Sequence, residues 1–306
     1  MKIAICFDKL DPGPWVEALS TMLPKSTISI WSPGLEPCDI AIVWSPTQQF
    51  IDEQSNLKLL FNIGAGVDSI LKLNLPESLK VVKLDNTDIA TQMTEYVCHE
   101  VIRHFRKFSE YSQDQDKKRW TLRKPRNRNE FSIGVMGLGN IGLKVAKTLK
   151  VFDFTVNGYS RTEKHIEGIH TFAGKEQFSD FLRASRVLIN LLPLTPDTQN
   201  ILNKETLSQM QRGGYVINVA RGDHLVDQDL ISLIDEGYLS GATLDVFRTE
   251  PLPIEHPFWT HPNITVTPHI SARMMRDDTI ANIVYKIQAL QRGEPITGIV
   301  DNQLGY

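Results

Sequence analysis

The sequence predicts an α/β protein made of two doubly wound domains. Three observations carry this. Short apolar runs of strand length alternate with stretches of helical period along most of the chain. The alternation is interrupted after Thr94 by one long helical period and restarts at Phe131. In the second series a glycine-rich turn, Gly137-Leu138-Gly139-Asn140-Ile141-Gly142, joins an apolar run to an amphipathic one.

In the first series the strand candidates are Ile3–Phe7, Ile40–Trp44, Leu57–Ile63 and Val81–Leu84. Their near-continuous hydrophobicity suits a parallel sheet buried on both faces. Asp11-Pro12-Gly13-Pro14 reads as a loop entering a helix over Trp15–Met22. From Thr94 the residues Tyr96, Val97, Glu100, Val101, His104, Phe105 and Phe108 fall at helical spacing, marking the crossing into the second domain. A basic stretch follows at Lys117, Lys118, Arg119, Arg123, Lys124, Arg126 and Arg128. It reads as a solvated face, because no aromatic beyond Trp120 is interleaved to stack on bases.

The second series places strands at Ser132–Met136, Thr155–Tyr159, Val187–Leu191, Tyr215–Val219, Ala242–Val246 and Ile264–Thr267, with helices clearest at Ile141–Phe152 and Gln228–Glu236. Six strands in this rhythm suggest a dinucleotide-binding sheet. A last helix, Arg276–Arg292, lies beyond Pro268. It is expected to pack back on the first domain and make that domain discontinuous, with 1–95 and 271–306 in one domain and 96–270 in the other.

Composition narrows the function classes. The chain has 306 residues, 41% hydrophobic and 23% charged, which excludes collagen-like, disordered and disulfide-scaffold proteins. A net charge of −3 gives no global field toward nucleic acid or anionic lipid. The cysteines Cys6, Cys38 and Cys98 form no C-x-x-C pair, as expected of reduced thiols in the cytoplasm. No cluster of His, Cys, Asp and Glu has metal-ligand spacing, and His99 and His104, five apart on a helix, read as structural. Met1-Lys2 leads into a short strand and then Asp8, unlike a signal peptide, and no run is long enough to span a membrane.

The glycine turn has a physical purpose in its strand–turn–helix context. Glycines permit the tight turn, close approach of backbone to a pyrophosphate, and close helix–strand packing. The helix N-terminus then offers N–H groups and the positive end of its dipole to phosphate. Gly137, Gly139, Asn140, Ile141 and Gly142 are therefore candidate cofactor residues. An acid is expected about 20 residues on, to hold the ribose hydroxyls of NAD. The next strand ends instead in Gly158-Tyr159-Ser160-Arg161-Thr162, with Lys164 behind. Ser160, Arg161 and Lys164 suit a 2′-phosphate, so NADPH is expected over NADH. The bland reading of Arg161 is a solvated loop charge.

Three later strand ends carry polar residues where open α/β sheets bind ligands: Arg221 after Gly213–Ala220, Glu250 after Leu244–Thr249, and His269 after Thr265–Pro268. Singly they read as a surface ion pair, a helix cap and a satisfied histidine. Together they make a site able to move a hydride and a proton. A histidine donates the proton, a carboxylate orients it, and an arginine stabilises developing oxyanion charge.

These stretches resemble the D-isomer-specific 2-hydroxyacid dehydrogenases. The matching segments are Gly137–Gly142, Leu191–Thr198, Asn218–Gly222 with Leu225-Val226-Asp227, Asp245–Pro251, Pro268-His269, and Asn62–Asp68 in the first domain. The Ser160-Arg161 strand end, Trp44 and the length are most similar to the bacterial NADPH-dependent glyoxylate/hydroxypyruvate reductase branch. The resemblance implies a Rossmann-type domain inserted in a flavodoxin-like substrate domain. It implies His269 as acid/base, Glu250 as its partner, and Arg221 on the substrate carboxylate and carbonyl. It implies Ala65, Gly66 and Val67 as amide donors to the carboxylate, with Trp44 beside the substrate. Val219, Ala220 and Asp245 would meet the nicotinamide, and Leu192, Pro193 and Thr198 the adenosine side. The chain departs from the family pattern at Ser271–Arg276, where Arg273 is a further candidate for substrate contact. The family resemblance also implies a homodimer. Two other functions stay open: an NAD-dependent lactate- or phosphoglycerate-type dehydrogenase, and a non-catalytic NAD(P)H-sensing co-repressor.

Overall fold

A computed structural model describes residues 1–8, 10–64, 66–84 and 87–301. The chain divides into two compact units, 1–89 with 274–306, and 90–273.

In the first unit β1 (Lys2–Phe7), β2 (Thr27–Ile30), β3 (Ile40–Trp44), β4 (Leu59–Asn62) and β5 (Lys80–Lys83) form a parallel sheet in the order β2-β1-β3-β4-β5. That is the flavodoxin-like order. Helices α1 (Gly13–Met22), α2 (Gln48–Glu53) and α3 (Asp68–Leu71) connect the strands. Alternate residues feed two cores. Ile3, Ile5, Ile40, Ile42 and Phe61 face one side, while Ala4, Cys6, Ala41, Val43 and Leu60 face the other. This alternation, with both faces covered, is why the strands read as unbroken apolar runs. The terminal helix α10 (Arg276–Gln291) adds Ile280, Ile283, Val284 and Ile287 to the first core, beside Trp15 and Leu19 of α1.

Helix α4 (Thr87–Phe105) starts earlier than its periodicity suggested, and Lys107, at φ +59, breaks it from α5 (Phe108–Asp116). The second unit then contains β6 (Ile133–Met136), α6 (Asn140–Val151), β7 (Val156–Ser160), β8 (His170–Ala173), α7 (Phe178–Arg183), β9 (Val187–Asn190), α8 (Lys204–Leu207), β10 (Gly214–Asn218), α9 (Asp227–Asp235), β11 (Leu239–Leu244) and β12 (Ile264–Val266). Its sheet is parallel, in the order β12-β11-β10-β9-β6-β7-β8. The direction of chain progression reverses between β6 and β9, the switch point at which such sheets bind ligands. Val135, Ile189 and Ile217 pack toward α4 and α6, and Met136, Leu188 and Val216 toward α7 and α9. Helix α6 buries Gly142, Val145, Ala146 and Leu149, the i, i+3, i+4, i+7 stripe of an amphipathic helix.

Three expectations change. The unit boundaries fall at 89/90 and 273/274 instead of 95/96 and 270/271. The outgoing crossing lies in the first turn of the continuous helix α4. The returning segment stays with the second unit because the Gln92 amide bonds both the N–H and the carbonyl of Arg273, at 2.9 and 2.8 Å. The strands β2 and β8 were not foreseen. Each is a four-residue edge strand with one neighbour, and β8 buries only Phe172. The basic stretch is also not simply a solvated face. Asp114, on α5, is buried and pairs with both Arg119 and Arg123. Arg126 donates to the His104 carbonyl and Arg128 to that of Phe152.

Candidate active site

The glycine turn sits between β6 and α6 as its chemistry requires. A Cβ on Gly142 would lie 1.8 Å from the Gly137 carbonyl oxygen, so only glycine lets the helix start this close to the turn. Gly139 stands at the N-cap of helix α6 with no side-chain cap bond, and a Cβ placed on it would meet nothing within 4 Å. A twelve-residue helix with open space at its N-cap fits a pyrophosphate. Asn140 and Ile141 form its first turn.

At the end of β7, Ser160 is buried and donates to the Thr162 carbonyl at 2.8 Å, while Arg161 is exposed. Lys164 reaches back to the Leu138 carbonyl at 2.7 Å, so its ammonium braces the glycine turn. The sheet thus ends here in one hydroxyl and two cations. Beyond β9, Leu192 donates its N–H to the Asn190 side chain at 3.2 Å. Thr198 donates to the Pro193 carbonyl at 2.7 Å and accepts from the Thr195 N–H at 2.8 Å, so this hydroxyl shapes its own turn.

The polar residues at the ends of β10, β11 and β12 are held by buried side chains. Asn218 accepts from Asn190 at 3.0 Å and from the Ala220 N–H at 3.3 Å, and donates to the Arg221 carbonyl at 3.0 Å. Both asparagines are fully buried. Val219 and Ala220 are buried between these bonds, and the Arg221 guanidinium donates to the Ala220 carbonyl at 2.7 Å. A Cβ on Gly222 would come within 1.9 Å of the Phe247 carbonyl carbon, so the Arg221 turn lies directly against the segment leading to Glu250.

His269 Nδ1 lies 2.7 Å from Glu250 Oε2, and Glu250 Oε1 accepts the Phe247 N–H at 2.9 Å. Partial burial pushes the Glu250 carboxyl up. The hydrogen bonds from His269 and Phe247, with the charges of His269 and Arg221, outweigh it and hold the group below its ordinary value. The carboxylate is therefore charged at neutral pH. Asp245, fully buried, accepts from the Thr267 hydroxyl and from the N–H groups of Ile270 and Ser271. Arg273 is exposed, with its backbone held by Gln92.

In the other unit, Asn62 donates to the carbonyls of Gly64 and Gly66 at 3.0 and 2.7 Å and shapes the loop before α3. Val67 is buried and begins that helix. The Trp44 ring lies over Gly64, where a Cβ would stand 2.4 Å from it. Ala65 lies outside the described residues.

Residues 98–271 match the family model for the NAD-binding domain of D-isomer specific 2-hydroxyacid dehydrogenases. The chain belongs to the D-isomer specific 2-hydroxyacid dehydrogenase family. Among its relatives in that family, glyoxylate/hydroxypyruvate reductase A of Serratia proteamaculans is 42% identical over 299 residues, covering 95% of this chain and 96% of its own. The protein of the same name from Photorhabdus laumondii is 42% identical and covers both chains fully. The fold matches that of the Sinorhizobium meliloti NADPH-dependent glyoxylate/hydroxypyruvate reductase in complex with NADP and sulfate. Its TM-score is 0.93, with 31% identity and 100% and 99% of the two chains covered. A family member from Xanthobacter autotrophicus Py2, in complex with NADPH and MES, gives a TM-score of 0.92 at 36% identity, covering 99% of each chain.

Sequence reasoning passed over Asn190, Tyr96 and Thr267. For Asn190 the signal was present: an asparagine closes an otherwise apolar strand, as Asn218 does on the strand beside it. His104 is structural, stacked on Tyr215 at 3.9 Å, and burial, with Arg126 and Arg186, pushes it down to about 3.

Proposed function

We propose that this dehydrogenase uses NADPH to reduce small 2-oxo acids, glyoxylate to glycolate and hydroxypyruvate to D-glycerate. The observation that carries the reading is the 2.7 Å pair of His269 and Glu250 at the strand ends that also carry Arg221. The 42% full-length identity to glyoxylate/hydroxypyruvate reductases supports the substrate class, and the NADP complexes of similar folds support the cofactor.

NADPH, when bound, supplies the hydride. The chain's own residues supply everything else. Glu250 accepts at Nδ1 of His269, which leaves Nε2 as the ring nitrogen that delivers a proton to the carbonyl oxygen. Glu250 fixes the orientation of the ring. Arg221 binds the substrate carboxylate and stabilises negative charge growing on the carbonyl oxygen. The family resemblance gives Gly66 and Val67, in the first unit, backbone N–H groups for the carboxylate and gives Trp44 a place beside the substrate, and Arg273, in the second unit, is a further candidate for substrate contact. Gly137, Gly139, Asn140, Ile141 and Gly142 hold the pyrophosphate. Arg161 and Lys164 would hold the 2′-phosphate, with Ser160 shaping the turn through its bond to the Thr162 carbonyl, and Leu192, Pro193 and Thr198 would line the adenosine side. Val219, Ala220 and Asp245 meet the nicotinamide.

The protein is further proposed to act in the cytoplasm as a homodimer. Among the described residues, no helix is long and apolar enough to cross a membrane, and Cys6, Cys38 and Cys98 are buried thiols. Trp120 and Leu122 are about nine-tenths exposed (93% and 88%), apolar area that a second copy would cover. The deciding experiment is a panel of 2-oxo acids assayed with NADPH and NADH side by side. NADPH-dependent turnover of glyoxylate and hydroxypyruvate is expected. Preference for NADH would favour the NAD-dependent alternative. Cofactor binding without turnover of any 2-oxo acid would favour the co-repressor.

A further inference from the structure

His269 has a left-handed backbone, φ +53, which a non-glycine residue keeps only where its surroundings hold it. The surroundings here are specific. The His269 N–H donates to the carbonyls of Asp245, at 2.9 Å, and Thr267, at 3.0 Å. The next two N–H groups, of Ile270 and Ser271, go to the Asp245 carboxylate at 2.9 and 2.8 Å. That carboxylate is fully buried and takes its third donor, the Thr267 hydroxyl, at 2.6 Å. A threonine hydroxyl has one proton. Having given it to Asp245, Thr267 must accept at its 2.5 Å contact with Tyr96, so the Tyr96 phenol is the donor. Burial pushes the Tyr96 phenol well above its ordinary value, and the nearby charges of Asp245 and Glu100 add to this, so the phenol keeps its proton.

We infer that Tyr96 and Thr267 are positioning residues for His269. Their hydroxyls form a directed chain, Tyr96 to Thr267 to Asp245, that anchors the turn 269–271 and so aims the imidazole. Neither hydroxyl need touch substrate. The family resemblance assigns Asp245 to the nicotinamide; an ionised carboxylate has about four acceptor sites, three are filled here, and so at most one is left for that contact. The inference rests on the proposed acid role of His269 for its kinetic consequence, but not for its structural one.

The test compares Thr267→Val, which keeps the shape and loses the hydroxyl, with Thr267→Ser, which keeps the hydroxyl, and with Tyr96→Phe. With glyoxylate and saturating NADPH, Thr267→Val should lower kcat about tenfold, equivalent to ~1.4 kcal/mol. KM for glyoxylate and the Kd of NADPH should stay within about twofold of the wild type, a small fraction of that loss. Thr267→Ser should restore kcat, and Tyr96→Phe should fall between the two. Wild-type kcat in Thr267→Val would overturn the inference. So would a defect confined to NADPH affinity, or a failure of Thr267→Ser to rescue. Amide exchange at Ile270 and Ser271, measured on the full chain without substrate, does not depend on turnover. Thr267→Val should speed it about tenfold, and unchanged exchange would overturn the inference. A wild-type protein that reduces no 2-oxo acid, yet shows the faster exchange in Thr267→Val, would sink the proposed reaction and leave the anchoring role standing.

Discussion

Glu250 is charged at neutral pH because its partners outweigh its burial, and two predictions follow from that charge. Reduction needs the proton that His269 delivers to the carbonyl oxygen, and the charged Glu250 holds the ring that delivers it. The carboxylate accepts from His269 with one oxygen and from the Phe247 N–H with the other, whereas an amide keeps only one acceptor oxygen. Glu250→Gln should therefore lower reductive kcat/KM, and by less than His269→Ala. Wild-type kcat/KM in Glu250→Gln would refute the coupling. The same carboxyl governs acid stability. Its folded value lies below the reference 4.5, so it adds stability above that reference and loses it as pH falls through the folded value. The stability difference between wild type and Glu250→Gln should shrink as thermal unfolding is followed from neutral pH into that acid window. Arg221→Lys keeps a charge but not a bidentate fork, and should lose about 3 kcal/mol of transition-state stabilisation, roughly a hundredfold in rate. Near-normal turnover would remove Arg221 from the substrate site. Arg161, at the end of β7, should matter to one cofactor alone. Arg161→Ala is expected to weaken NADPH by about 1.5–3 kcal/mol and NADH little, and equal losses in paired titrations would contradict a phosphate contact.

Helix α6 joins stability to binding in one element. Its buried stripe, Val145, Ala146 and Leu149, secures it to β6, and its N-terminus stays open because Gly142 allows the close start. A methyl at position 142 would collide with the Gly137 carbonyl, a backbone atom that cannot swing aside. Gly142→Ala must push the helix away from the turn. It should cost about 1–3 kcal/mol, as overpacking does, and should weaken NADPH and NADH alike, since both carry the pyrophosphate. Denaturant melts and titrations with each cofactor check both halves. Selective loss of NADPH would argue that the turn does not hold the group the two cofactors share.

On the scale of the whole chain, cofactor binding and folding are linked. NADPH at about a hundred times its Kd stabilises the folded chain by ~2.7 kcal/mol, which raises the melting point by several degrees. A melting point that rises more with NADPH than with equal NADH would give the cofactor preference without any substrate. An unchanged melting point with saturating NADPH would oppose the cofactor reading. Sedimentation should give the mass of two chains, and the exposed Trp120 and Leu122 are the residues to replace if it does.

Much of this protein was written in local pattern. The apolar runs of β1, β3, β6, β9 and β10 are unbroken because both faces of each sheet are covered, and a glycine turn or a strand-end histidine is visible among its immediate neighbours. The strands β2 and β8 carry no such run, because, of their residues, only Phe172 is buried and the other side chains reach solvent. The pairing of Asp114 with Arg119 and Arg123 was hidden because charge counts do not say which groups the fold buries together. The supports of the site were hidden most completely. Tyr96 meets Thr267 across 171 positions and Thr267 meets Asp245 across 22. Nothing within a helical turn or a strand repeat relates those residues. Their meeting depends on the register of β12 against β11 and on the placement of α4. Residue types and short spacings thus announced the chemistry, whereas the hydrogen bonds that aim it came into being only when distant strand ends were packed side by side.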